Sequence, residues 1–183
     1  MKSDNMRFYS AMLMAGCGLH AAAQTQRPNI VFIITDDHSF QTISAYGSEV
    51  SKLAPTPNID RLANEGARFD DAFVENSLST PARACLLTGL YSHQNGQRTL
   101  GKGIDSTKTF VSELLQDAGY QTGVVGKWHM QCRPKGFDFF RIFEGQGDYY
   151  NPLVLSHDSN GKYEREQGYA TDIVTEHAVE FLN

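Results

Sequence analysis

The stretch "TFVSELLQDAGYQTGVVGKW", Thr109 to Trp128, decides the fold class because it joins a helical pattern to a strand pattern. In its first half Phe110, Leu114 and Leu115 recur at helical spacing, and Gly119 gives a stop signal. Its second half, "QTGVVGKW", is a short apolar run that is typical of a buried strand. A helix followed at once by a buried strand predicts an α/β fold.

The rest of the chain continues this alternation of strands and helices. Two further apolar stretches predict strands: "NIVFIIT", Asn29 to Thr35, as a central strand covered on both faces, and "RFDDAFV", 68–74. Three further segments predict helices: 56–69, Thr80 to about Leu90, and 169–183. We expect 133–162, rich in Gly, Asp, Asn and aromatic residues, to form long connections. The expected fold is an α/β fold with a mainly parallel central sheet flanked by helices.

Composition favours one globular domain and argues against a nucleic-acid partner. The chain has 183 residues, of which 40% are hydrophobic and 11% aromatic, enough for a packed core. The formal net charge is -5 and there is no basic run, so nucleic acid is not an expected partner.

The first 23 residues have the features of a secretory signal peptide. Two basic residues precede an apolar stretch that is too short to span a bilayer and that ends in an Ala-x-Ala pattern at Ala21 and Ala23. Cleavage there gives a mature chain of residues 24–183 in the periplasm or outside the cell, with no membrane span. The alternative is a lipoprotein signal with Cys17 as the lipidated residue. The mature chain keeps Cys85 and Cys132, which form either a disulfide or two buried thiols.

Polar residues follow the two most distinct predicted strands. Asp36 and Asp37 come after the first, and Lys127 and His129 end the second. Ligands gather at the carboxyl ends of strands in open α/β sheets, and paired carboxylates suit a hard divalent cation. The alternatives are a turn or helix cap for the two acids, and a solvated lysine with a hydrogen-bonded histidine.

A serine at a predicted helix start completes the candidate site. Ser79 lies in "STPARACLLTG", where unpaired backbone N–H groups make a helix N-terminus a ready anion site. Arg83, one turn later, shares its helix face. The alternative for Ser79 is a simple helix cap.

The motifs "NIVFIITDD", "STPARACLLTG" and "GKWH" resemble, in order and spacing, those of the type I sulfatase family. The family pattern is Cys or Ser, any residue, Pro, any residue, Arg, then Thr-Gly, and it is matched by Ser79, Pro81, Arg83, Thr88 and Gly89. The segment "GFDFFRIFEGQGDYYNP" is most similar to bacterial enzymes that act on 6-sulfated N-acetylglucosamine.

The resemblance implies an alkaline-phosphatase-like sulfatase fold and hydrolysis of sulfate esters, on a sulfated carbohydrate substrate. It implies that a serine-type radical maturase oxidises Ser79 to formylglycine, whose hydrate attacks sulfur. It also implies that Asp36, Asp37 and the modified Ser79 bind Ca²⁺. Arg83 would then hold the formylglycine diol, while Lys127 and His129 would contact the sulfate and the nucleophile.

Family members are much longer and carry a further Asp-Asn pair, a second lysine and a leaving-group histidine. We therefore expect residues 24–183 to be the N-terminal part of a sulfatase catalytic domain, truncated, with weak turnover. Two alternatives stay open: a phosphate-ester hydrolase of the same superfamily that uses unmodified Ser79, and an inactive fragment.

Overall fold

The computed structural model describes residues 27–183. The chain divides into two units, residues 1–38 and 39–183. The predicted signal peptide, residues 1–23, and its alternative lipid site at Cys17 lie outside the described residues.

The described part of the first unit, 27–38, contains no strand, so the prediction of a central strand over Asn29 to Thr35 is wrong. Its apolar side chains are exposed, Ile33 by 75%. A run of apolar residues indicates a preference for burial, but a strand also needs a neighbour that takes its backbone hydrogen bonds. No strand pairs with 27–38 among the described residues.

Five α-helices form in the second unit, and the predicted helices are all among them. They are α1 (Pro57–Glu65), α2 (Ser79–Thr88), α3 (Ser92–Asn95), α4 (Val111–Asp117) and α5 (Ala170–Leu182), preceded by 3-10 turns at Phe40–Thr42, Ser44–Tyr46 and Val50–Lys52. Helix α2 ends at Gly89, whose φ of 65° is the left-handed conformation that glycine adopts without strain. None of the helices described in 27–183 has the length and apolar character needed to cross a bilayer.

The sheet has four strands in the order β1-β2-β3-β4: β1 (Gly123–Lys127), β2 (Phe139–Phe143), β3 (Leu153–Ser156) and β4 (Tyr163–Arg165). Strands β1 and β2 are parallel, whereas β2–β3 and β3–β4 are antiparallel. The α/β class is confirmed, and the sheet of the described residues is mixed, with one parallel pair.

Two predictions for the second unit are wrong: the long connections expected over 133–162 and the strand expected over 68–74. The 133–162 segment contains β2 and β3, because two short apolar runs of strand length lie between its turn residues. The 68–74 segment forms no strand, and Phe73 is 92% exposed. Its apolar residues are interrupted by two aspartates, and no described strand lies beside it to complete a ladder.

The main core joins helices α2 and α4 to the sheet. It consists of Ala84, Ile104, Phe110, Trp128, Met130, Phe140, Ile142 and Leu155. The predicted apolar face of α4 is only partly correct, because the N-cap residue Phe110 is buried whereas Leu114 within the helix is exposed. The core residues Trp128 and Met130 follow β1 directly and flank His129, so the segment after this strand is anchored on both sides.

Helix α5 packs on β1 at two glycines. A Cβ at Gly123 would lie 2.9 Å from the Phe181 ring, and one at Gly126 would lie 3.2 Å from a Val174 methyl group. The same helix buries His177, whose Nε2 lies 2.9 Å from a carboxylate oxygen of Glu166. The close approach of α5 to β1 depends on the absence of a side chain at Gly123 and Gly126.

Candidate active site

Ser79 is the first residue of helix α2, and its hydroxyl is directed at a histidine. The Ser79 Oγ lies 3.2 Å from His129 Nδ1. Leu78 is the N-cap residue of the helix. The segment before the helix is fixed by Asn76, whose Oδ1 accepts a hydrogen bond from the Leu78 N–H at 3.0 Å. The alternative of Ser79 as a helix cap is wrong, because its side chain contacts another segment instead of capping its own helix.

His129 is held in a backbone conformation that is rare for a residue with a side chain. Its φ is 53°, in the left-handed region, which costs a non-glycine residue about 1–3 kcal/mol. Its neighbours Trp128 and Met130 are both buried, and Trp128 Nε1 donates to the Cys132 carbonyl at 2.6 Å. The structure around His129 thus maintains this conformation.

Arg83 and Lys127 connect the helix to the strand. Arg83 Nη1 donates to the backbone carbonyl of Lys127, the last residue of β1, at 2.6 Å. Both side chains are half-buried. The four predicted catalytic residues, Ser79, Arg83, Lys127 and His129, therefore gather where the first turns of α2 meet the end of β1.

Sequence reasoning missed Thr80, the second residue of α2. Its side chain is fully buried, and its Oγ1 donates to the His129 carbonyl at 3.1 Å. Consecutive residues of α2 thus contact the same histidine, one at the ring and the other at the backbone. Nothing in the spacing of the sequence distinguishes this threonine from an ordinary helical one.

Asp36 and Asp37 belong to the first unit and are exposed at a turn. Asp37 has a φ of 51°, a conformation that aspartate tolerates better than most residues. Within 27–183 there is no group of three or more His, Cys, Asp or Glu side chains that could hold a metal ion. Two adjacent carboxylates supply hard oxygen donors, so they fit part of the ligand set of Ca²⁺, which takes about six to eight oxygens.

The two cysteines of the predicted mature chain are free thiols, Cys85 buried and Cys132 half-buried. Cys85 Sγ lies 3.5 Å from Ser92 Oγ, on the neighbouring helix α3. Burial raises the pKa of the Cys132 thiol. Of the two alternatives for this pair, the structure shows the separate thiols.

The chain is similar to known proteins over most of its length. The family profile described as "Sulfatase" matches residues 28–183. An N-acetylglucosamine-6-O-sulfatase of Bacteroides thetaiotaomicron is 46% identical over 176 residues, covering 94% of this chain and 30% of the relative. An arylsulfatase of Klebsiella aerogenes is 36% identical, covering 84% of this chain and 36% of the relative.

Solved structures share the fold. One protein, solved in complex with its substrate D-glucosamine-2-N,6-O-disulfate, is 48% identical with a TM-score of 0.80, covering 86% of this chain and 31% of that one. Another, solved in complex with k-i-k-neocarrahexaose, is 32% identical with a TM-score of 0.77, covering 86% of this chain and 41% of that one. The chain spans about a third of the length of such relatives. The matched profile and these identities confirm the resemblance seen in the motifs, and the chain belongs to the sulfatase family.

Proposed function

We propose that this chain carries the nucleophile-bearing part of a sulfate-ester hydrolase. The observation that carries the proposal is the 3.2 Å contact between Ser79 Oγ and His129 Nδ1 at the start of helix α2. Ser79 occupies the nucleophile position of the sulfatase motif. A nucleophile needs a group nearby that can accept or donate its proton, and His129 lies within hydrogen-bond reach for this role.

For the substrate we propose a carbohydrate 6-O-sulfate. A curated relative is named an N-acetylglucosamine-6-O-sulfatase, and a similar solved structure holds a glucosamine that carries a 6-O-sulfate. The identities of 46% and 48% over most of this chain favour an aminosugar substrate of the same kind.

Formylglycine at position 79 would supply a carbonyl carbon whose hydrate offers two hydroxyl groups, one to attack sulfur and one to expel the sulfate afterwards. Its formation from Ser79 removes two hydrogens, which a serine-type radical maturase would accept. His129 would hold or release a proton at the oxygen on residue 79. The cationic groups of Arg83 and Lys127 would stabilise negative charge that develops on the sulfate oxygens.

Asp36 and Asp37 are proposed as carboxylate ligands of Ca²⁺. Bound Ca²⁺ would polarise a sulfate oxygen and favour the ionised form of a hydroxyl group. The support is the donor chemistry of the two adjacent carboxylates, which suits a hard cation.

The first test is the chemical state of Ser79. Co-expression with a serine-type maturase, followed by peptide mass spectrometry, should show the loss of two hydrogens at Ser79. Ser77→Ala, two residues earlier, is the matched control and should leave conversion intact, whereas Ser79→Ala should abolish it. Conversion at Ser77, or none in the presence of an active maturase, would contradict the proposal.

The second test is turnover by the maturase-treated protein. Release of sulfate from glucosamine 6-sulfate should depend on Ser79, so that Ser79→Ala abolishes it. Hydrolysis of an aryl phosphate by protein with unmodified Ser79 would instead support a phosphate-ester hydrolase.

We also propose export through the N-terminal segment. N-terminal sequencing of the secreted or periplasmic protein should start at Gln24. A lipid-modified N-terminus at Cys17 would show the lipoprotein alternative instead.

A further inference from the structure

Helix α2 contacts His129 twice, through two residues that are adjacent in sequence. Ser79 approaches the imidazole, while Thr80 Oγ1 donates to the backbone carbonyl of the same histidine at 3.1 Å. The Thr80 side chain has no exposed surface, so water cannot replace the hydroxyl in this bond.

The conformation of His129 requires such a restraint. With a φ of 53°, the residue lies outside the conformations that histidine prefers, and Gln131 repeats the left-handed geometry at 55°. The Met130 carbonyl between them accepts from the Ile104 N–H at 3.2 Å. Without its own hydrogen bond, the His129 peptide would be free to relax toward an ordinary backbone conformation and to turn its ring away from Ser79.

We propose that Thr80 is a positioning residue, which fixes the peptide of His129 and thereby aims the imidazole at position 79. It is not itself a catalytic residue, because its hydroxyl faces the histidine backbone. The consequence for catalysis rests on the proposed function, whereas the coupling between Thr80 and the His129 ring does not.

The test observes the histidine ring directly in the full chain, so that it needs no turnover. Long-range ¹H–¹⁵N spectra distinguish a ring held as one tautomer from a ring that averages two. Thr80→Val removes the hydroxyl and keeps the shape of the side chain. We expect the His129 Nδ1 and Nε2 signals to converge in this variant, and Thr80→Ser, which keeps the hydroxyl, to retain the signals of the parent.

Thr88→Val is the matched control. Like Thr80, Thr88 lies on α2 and donates its hydroxyl to a backbone carbonyl, but that carbonyl belongs to Ala84 of the same helix, at 2.6 Å. The Thr88→Val variant should lose similar helix stability without altering the His129 signals. Unchanged signals in Thr80→Val, or equal changes in both valine variants, would overturn the proposal. The outcome does not depend on sulfatase activity, so failure of the proposed function and failure of this inference are distinguishable.

If Thr80→Val does not fold, Thr80→Ser and Thr80→Ala decide, since both lack the methyl group and only serine keeps the hydroxyl. Signals like those of the parent in Thr80→Ser together with altered signals in Thr80→Ala support the proposal. Identical signals in the two variants, or failure of Thr80→Ser itself to fold, would show that the methyl group is what matters and would overturn it.

Discussion

The guanidinium of Arg83 donates to the backbone carbonyl of Lys127 at 2.6 Å, across 44 positions of sequence. The bond ties the first turns of helix α2 to the last residue of strand β1. Ser79 lies one helical turn before Arg83, and His129 lies two residues after Lys127. Together with the contacts from Ser79 and Thr80 to His129, this bond connects the two segments that carry the candidate nucleophile and its histidine.

Arg83→Gln should lower the free energy of unfolding by about 1.5–3 kcal/mol, the usual worth of a hydrogen bond to a charged group. The shorter amide side chain cannot reach the Lys127 carbonyl from the same helical position. Urea denaturation measures the effect, with Arg61→Gln on the exposed face of α1 as the control. The control should stay within about 0.5 kcal/mol of the parent. Equal losses in both variants would contradict a structural role for the Arg83 bond.

Sequence reasoning located the helices well because each has a local signal. Helix α2 follows from Pro81 in its first turn and Gly89 after its end, and motif spacing predicted Ser79 and His129, whose side chains the structure places 3.2 Å apart. The strands were harder to predict. Periodicity shows that Asn29 to Thr35 prefers burial but carries no information on which strand would pair with it.

Other features depend on contacts that are distant in sequence. Strand β2 forms because its residues pair with β1 and β3, although its neighbourhood is rich in turn residues. Thr80 gains its importance from a carbonyl 49 positions away. Such features follow from tertiary pairing, so the composition of the local segment does not predict them.

Added Ca²⁺ should raise the thermal midpoint, by an amount that grows with the logarithm of its concentration once the site is saturated, because a ligand that binds only the folded state stabilises it. Asp37→Asn should reduce that shift, since it removes a charged oxygen from the proposed pair. Asp71→Asn is the matched control, because Asp70 and Asp71 form another adjacent exposed acidic pair. Thermal melts with Ca²⁺ and with a chelator measure the effect. If the Ca²⁺-dependent shift is the same in Asp37→Asn and the parent, the assignment of Asp37 as a ligand is wrong.

The Asp138 carboxylate should make stability depend on pH in the acid range. Its oxygens accept from the Thr122 N–H at 2.8 Å and from the Gln116 amide at 2.7 Å. The backbone hydrogen bond from Thr122 is the main reason that the pKa of Asp138 lies below its ordinary value of 3.8. The stabilisation is therefore complete above this ordinary value and is lost as the pH falls through the lower pKa of the folded state.

Asp138→Asn should lower the free energy of unfolding by about 0.5–1 kcal/mol at pH 7, a modest loss because solvent screens the exposed carboxylate. The difference from the parent should begin to shrink as the pH falls to about 3.8, where the carboxylate of the unfolded chain is protonated, and should disappear once the pH has passed the lower pKa of the folded state. Urea melts across this range measure it, with the exposed Asp117→Asn as control. A difference that does not change with pH would show that the charge of Asp138 is not involved.

Gly126 should be intolerant of a side chain for two separable reasons. Its φ of 86° strains any other residue, and an added Cβ would lie 3.2 Å from a Val174 methyl group on helix α5. Gly161 provides the comparison, because its φ of 79° is similar while nothing lies within 4 Å of the corresponding position. Gly161→Ala should therefore show the backbone cost alone, about 1–2 kcal/mol.

Gly126→Ala should lose about 1–3 kcal/mol more than Gly161→Ala, because it also crowds the contact between α5 and β1. Adding Val174→Ala to Gly126→Ala should recover part of that excess, since it removes the methyl groups that the new Cβ meets. Urea denaturation of the two single variants, the Val174→Ala single variant and the double variant completes the cycle. Equal losses at Gly126 and Gly161 with no coupling to Val174 would mean that α5 can move away from β1, and that the close packing at this glycine is not what holds the helix on the sheet.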